Sequence, residues 1–110
     1  VTFHLVLFRP RPDVSAAARD GLLAAMRAAA EGIPTVRRFE IGERLANPPQ
    51  YVLSGFPDFP YVAWLEFDDE AGLHAYLSHP LHVDLGRRFN EAAEAALIYD
   101  FNASDMTAAR

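Results

Sequence analysis

Two hydrophobic periods alternate along this chain. Residues 2–8 (Thr-Phe-His-Leu-Val-Leu-Phe) are rich in β-formers and predict a first strand. Arg9-Pro10-Arg11-Pro12 stops it, because proline cannot continue a ladder. Beyond Ser15, a fitting N-cap, Leu22, Leu23, Met26, Ala29, Ala30 and Ile33 recur at helical spacing. They predict a helix over 16–31 that ends at Gly32-Ile33-Pro34. The period then returns to two. Over 36–45, Phe39 and Ile41 fall on one side and Arg38 and Glu40 on the other, a second strand. Residues 46–60 hold four prolines and predict a loop. Tyr51, Val52, Leu53, Phe56 and Phe59 make that loop apolar enough to pack against this subunit or a partner. A third strand follows over 61–67 (Tyr-Val-Ala-Trp-Leu-Glu-Phe). Asp68 or Asp69 then caps a short helix carrying Leu73, Tyr76 and Leu77, and Pro80 opens a last helix running to about Ala95. Residues 97–101 (Leu-Ile-Tyr-Asp-Phe) form a fourth strand, and 102–110 are a polar tail outside a single domain of 1–101.

The order β-α-β-β-α-α-β predicts an α+β fold. It is a ferredoxin-like split βαβ, with a four-stranded antiparallel sheet and its helices on one face. The first strand offers Phe3, Leu5 and Leu7 on one side, Val6 and Phe8 on the other. The third offers Tyr61, Ala63, Leu65 and Phe67 against Val62 and Trp64. One face buries against the helices; the other would leave a large apolar patch in water. The expected solution is a homodimer through this open sheet face, with two sheets closing into a dimeric α+β barrel.

Composition narrows the chemistry. The 110 residues, 51% hydrophobic and 23% charged, suffice for one domain with an unstapled core. The sequence has no cysteine, which removes disulfides, thiol nucleophiles and thiolate metal ligands and fits a cytoplasmic setting. It has no lysine either, since all ten basic residues are arginine, so Schiff-base and P-loop lysine chemistry are excluded. Net charge is −5 and Arg37-Arg38 and Arg87-Arg88 are isolated pairs, so nucleic acid is not an expected partner. The short apolar start lacks a basic region, and no run approaches the roughly 18 apolar residues of a membrane span, so no membrane is expected. There is no glycine-rich phosphate loop, no Ser-His-Asp arrangement and no close carboxylate pair with catalytic spacing, and Asp68-Asp69-Glu70 reads as helix-capping charge.

What remains is proton transfer by histidine and tyrosine, concentrated in Tyr76-Leu77-Ser78-His79-Pro80-Leu81-His82-Val83-Asp84-Leu85-Gly86. Pro80 suits the first turn of a helix, where its missing N–H costs nothing. That places His82 in an opening turn and Tyr76 near the end of the preceding helix. His82, Leu85, Gly86, Phe89 and Ala93 share one helix face. Apart from His82 that stripe is apolar or small, so the imidazole points inward, and Gly86 leaves space beside it. His82 is a candidate general base, or a buried histidine bonded to a backbone carbonyl that fixes the corner. Tyr76 is a phenol facing His82, or a core aromatic. His4 sits with Val6 and Phe8 on the even face of the first strand; if that face meets the helices, His4 and His82 bracket one pocket. Otherwise His4 is a satisfied core group. His79 caps the corner or faces solvent, and His74 lies on the surface. The His79-x-x-His82 spacing permits a metal. A third ligand is missing nearby, and a helix starting at Pro80 turns the two rings apart, so neither a metal nor a cofactor is expected.

Five stretches now stand together: His-Leu-Val-Leu-Phe, Ile-Pro-x-Val, Leu-Glu-Phe-Asp-Asp, Tyr-Leu-x-His-Pro-x-His and a final Tyr-Asp-Phe. Over about residues 2–101 they resemble the stress-responsive dimeric α/β-barrel (Dabb) family. The resemblance implies a ferredoxin-like subunit in a dimeric α+β barrel. It also implies that a few plant members are cofactor-free polyketide cyclases. Those close a poly-β-keto thioester by aldol condensation, with a histidine and a tyrosine in a helix-side cavity. Carried over, the histidine matches His82, the tyrosine Tyr76, and a further cavity histidine His4. Cyclase-type members carry an aromatic hydroxyl on the first helix where this chain has Met26, so the pocket here is more apolar and lacks that donor. The candidate site is therefore His82 and Tyr76 as the catalytic pair, with His4, Met26, Leu85, Gly86 and Phe89 around a small apolar or aromatic ligand. Three functions stand open. One is a cofactor-free cyclase or isomerase of a polyketide-like or aromatic carbonyl compound. The second is a non-catalytic dimeric stress-response or ligand-binding protein. The third is a cofactor-independent monooxygenase, since other dimeric barrels of this shape oxidise phenols.

Overall fold

Strand β1 (Thr2–Pro10) is the spine of the molecule. It pairs antiparallel with β3 (Tyr61–Phe67) on one side and with β4 (Ala93–Asn102) on the other. Strand β2 (Arg38–Glu43) pairs antiparallel with the outer side of β3, giving the order β2-β3-β1-β4. The computed structural model describes residues 1–45 and 58–108. The expected loop over 46–60, with its Tyr51, Val52, Leu53 and Phe56, lies outside the described residues except for its last three positions.

The period of two decides which residues face the helices. Thr2, His4, Val6 and Phe8 of β1 point to the same side as Tyr61, Ala63, Leu65 and Phe67 of β3. Helices α1 (Ala16–Gly32), α2 (Glu70–Ser78) and α3 (Pro80–Ala92) cover that side. Leu65, Phe67 and Ile33 are its most deeply buried large side chains. Ser15 caps α1, its hydroxyl accepting from the Ala18 N–H at 3.0 Å. The buried stripe of α1 is Leu22, Ala25, Met26 and Ala29, continued by Ile33. Leu23, expected on that stripe, is exposed, and Ala25 takes its place.

Two expectations are corrected. The last helix ends at Ala92, and β4 starts at Ala93 with no loop between them. Alanine-rich 91–96 has the composition of a helix. Pairing with β1 draws it into a strand from Ala93 onward, an override of local preference by tertiary context. The second correction concerns the dimeric α+β barrel. The sheet is open: β2 and β4 are its two edges, and among the described residues neither pairs with a further strand. The apolar open face therefore calls for cover without dictating closure of the sheet. Among the described residues no helix is long and apolar enough to cross a membrane.

Leu65 is 1% exposed at the centre of the helix-facing side. Leu65→Ala is expected to cost about 2–5 kcal/mol through lost burial and the cavity left behind. A shift of the urea midpoint with little change in slope is the measurement that checks it.

Candidate functional site

The site begins at the break between α2 and α3. His79 ends one helix and caps the next: its N–H bonds to the Tyr76 carbonyl, and its Nδ1 accepts from the Leu81 N–H at 3.1 Å. Pro80 stands in the first turn of α3, where no partner for an N–H is needed. The change of direction lets the His82 ring reach back into the last turn of α2. There its Nδ1 lies 2.9 Å from the carbonyl oxygen of Leu77. Carbonyls in the last turn of a helix lack intrahelical partners, so this bond also completes the end of α2. A carbonyl can only accept, so Nδ1 carries the hydrogen and the lone pair of the neutral ring sits on Nε2.

A cavity of about 220 Å³ lies between this corner and the sheet. All seven residues singled out from the sequence, His4, Met26, Tyr76, His82, Leu85, Gly86 and Phe89, stand on its wall. Tyr76 is packed between the two imidazoles, its ring centre 4.6 Å from that of His82 and 5.8 Å from that of His4. Phe67 backs it at 5.4 Å. Burial pushes the Tyr76 phenol well above its ordinary range, so it is present as an O–H donor. Burial also lowers the His82 pKa, and the nearby His4 adds to that effect against the pull of the Leu77 hydrogen bond. His82 is thus biased towards a neutral base. The histidines outside the cavity have other partners or none: the His79 ring is held at Leu81, and His74 is exposed. Among the described residues no group of three potential ligands could hold a metal ion.

The stress responsive A/B barrel domain family matches residues 2–103. The chain belongs to that family. Among curated proteins none matches it. Several solved structures share its architecture. A dimeric protein of unknown function and ferredoxin-like fold from Bacteroides fragilis superposes with a TM-score of 0.68 at 26% identity, over 93% of this chain and 95% of its own. A dimeric ferredoxin-like protein of unknown function from Thermobifida fusca gives 0.72 at 20%, over 93% and 90%. A hydroxynitrile lyase from Passiflora edulis gives 0.79 at 16%, over 96% and 94%. The first two are dimeric and ferredoxin-like, in keeping with the open sheet here. The barrel of the family's name is not the geometry of this chain's sheet.

One polar neighbour of this family member's cavity escaped the sequence reading. His4 faces Asp100 directly across the β1–β4 ladder, and His4 Nδ1 lies 2.6 Å from Asp100 Oδ1. The carboxylate accepts, so Nδ1 of this second imidazole is also a donor. A signal was present: Asp100 interrupts the apolar run Leu97-Ile98-Tyr99-Asp100-Phe101. Ile98 and Asn90 on the cavity wall were missed as well, and neither residue type stands out in its local pattern.

The depressed His82 pKa gives stability a pH dependence with a definite sign. Well above the ordinary value of 6.5 the ring is neutral whether the chain is folded or not. As pH falls below 6.5 the unfolded chain takes up the proton first, so the fold loses stability down to the lower folded pKa. His82→Gln, which keeps a donor for the Leu77 carbonyl, is expected to flatten the stability slope below that pH. Urea midpoints of both proteins between pH 5 and pH 8 check the difference.

Proposed function

We propose that the protein is a cofactor-free enzyme that moves a proton on a small carbonyl compound, a cyclase or isomerase in reaction type. The observation that carries this reading is the meeting of two imidazoles and a neutral phenol in one largely apolar cavity, each imidazole with its Nδ1 already engaged. His82 Nε2 is the base that takes a proton from the carbon beside the carbonyl. The C–H electron pair moves into the new C=C bond, and the carbonyl π pair goes to the oxygen. The Tyr76 O–H donates a hydrogen bond to that oxygen as its charge grows. His4, held by Asp100, lines the far side of Tyr76. Return of the proton from His82 to another carbon completes an isomerisation; in an aldol closure the new carbanion bonds to a second carbonyl carbon, the π pair of that carbonyl moves to its oxygen, and the oxygen takes the proton from His82. A positioned base of this kind contributes about 10²–10⁴ in rate.

The size of the cavity favours a small substrate. A dry cavity of about 150 Å³ is known to hold benzene, so about 220 Å³ suits a single ring carrying a carbonyl group. The Passiflora edulis neighbour is named a hydroxynitrile lyase, which supports the view that this fold can carry an enzyme. The relatives named as dimeric support a second part of the proposal. A second copy of this chain covers the open sheet face, where Leu97, Tyr99 and Phe101 are otherwise exposed.

One observation favours a non-catalytic ligand-binding protein instead: the His82–Leu77 bond already gives the ring a structural task at the α2–α3 corner. Acetophenone in D₂O separates the two readings. The enzyme reading expects deuterium to enter the methyl group, followed by NMR, with His82→Gln slowing that exchange about 10²–10⁴-fold. Binding of acetophenone with no acceleration by the wild-type protein would leave the binding reading in its place.

A further inference from the structure

We infer that Gly86 sets the size of the group the cavity admits, its missing side chain forming a recess for the apolar, ring-sized substituent of the carbonyl substrate. The inference rests on the function proposed above. Gly86 lies inside α3, where glycine is among the least favourable residues. Two other glycines have a packing reason: a Cβ built on Gly32 would lie 2.5 Å from Leu81 Cδ1, and one on Gly42 would lie 3.1 Å from Val62 Cγ1. A Cβ built on Gly86 would meet nothing within 4 Å. No close approach of chains accounts for the residue, and its backbone is ordinary helix. What the glycine does leave is space on the cavity wall.

The position of that space is informative. Gly86 follows His82 by four residues, so it sits on the same face one turn, about 5.4 Å, along the axis. The cavity wall that Gly86 belongs to carries the apolar Met26, Leu85, Phe89 and Ile98, and Asn90 stands one turn further along the same helix face. A carbonyl compound with its reacting carbon at His82 would direct its non-reacting side towards this recess. The class selected is an uncharged carbonyl compound bearing one aromatic ring or a branched alkyl group there. Filling the recess should therefore stabilise the helix and exclude the ring at the same time.

Gly86→Ala and Gly86→Leu test this with two readouts, the thermal midpoint and the affinity for acetophenone and for acetone. Affinities are read from shifts of the His82 and Tyr76 NMR signals. Gly86→Ala is expected to raise the midpoint by about 4 °C. It is also expected to weaken acetophenone at least tenfold and leave acetone unchanged, and Gly86→Leu to exclude acetophenone altogether. A lower midpoint in Gly86→Ala, or an equal response of the two probes, would overturn the role of Gly86 while leaving the carbonyl site in place. If neither probe shifts those signals in the wild-type protein, the reading of the cavity fails and the inference falls with it.

Discussion

A helix that ends inside a protein leaves carbonyl groups in want of donors, and at the α2–α3 corner one of them, Leu77, receives its donor from His82 Nδ1. Much of the site follows from that contact. It fixes which ring nitrogen carries hydrogen and which carries the lone pair. It holds the imidazole against Tyr76, whose other neighbours are Phe67 and His4. It exists only because Pro80 breaks the helical run and His79 caps both sides of the break. A continuous helix over the same residues would leave the Leu77 carbonyl in the regular ladder and would give His82 no such partner.

The sheet contributes the opposite wall by a different rule. Alternation along β1 puts His4 on the helix-facing side, between Thr2 and Val6, and antiparallel register puts Asp100 beside it. The same device of an engaged Nδ1 thus appears twice in one cavity, once with a backbone carbonyl and once with a carboxylate. The two rings thus differ in partner, and each is held with hydrogen on Nδ1.

Much of this was legible in the residues, and the parts that were not have identifiable causes. The strand faces could be read because one side of β1 and β3 is buried and a slip of one residue would expose it. The corner could be read because proline has so few places in a helix. The end of α3 could not: Glu91-Ala92-Ala93-Glu94-Ala95-Ala96 carries a helical preference, and only the partner strand reveals that it pairs from Ala93. Leu23 reads as buried from its spacing, yet it is exposed because the stripe through Leu22, Ala25, Met26 and Ala29 is narrower than the apolar content of the helix suggests. Barrel closure does not follow from an apolar sheet face, because such a face specifies that something must cover it, not the geometry of the cover. Asp100 went unnoticed because its meaning lies in a register across 96 residues of chain.

The site depends on where hydrogen sits on the two cavity imidazoles, and ¹⁵N NMR of the histidine ring nitrogens near pH 7 reads this directly. The expected spectrum has His82 as a neutral ring with hydrogen on Nδ1 and an unprotonated Nε2, and His4 with hydrogen on Nδ1. A His82 found as the Nε2–H tautomer, or fully protonated at that pH, would contradict the Leu77 contact and with it the base on which the proposed chemistry rests.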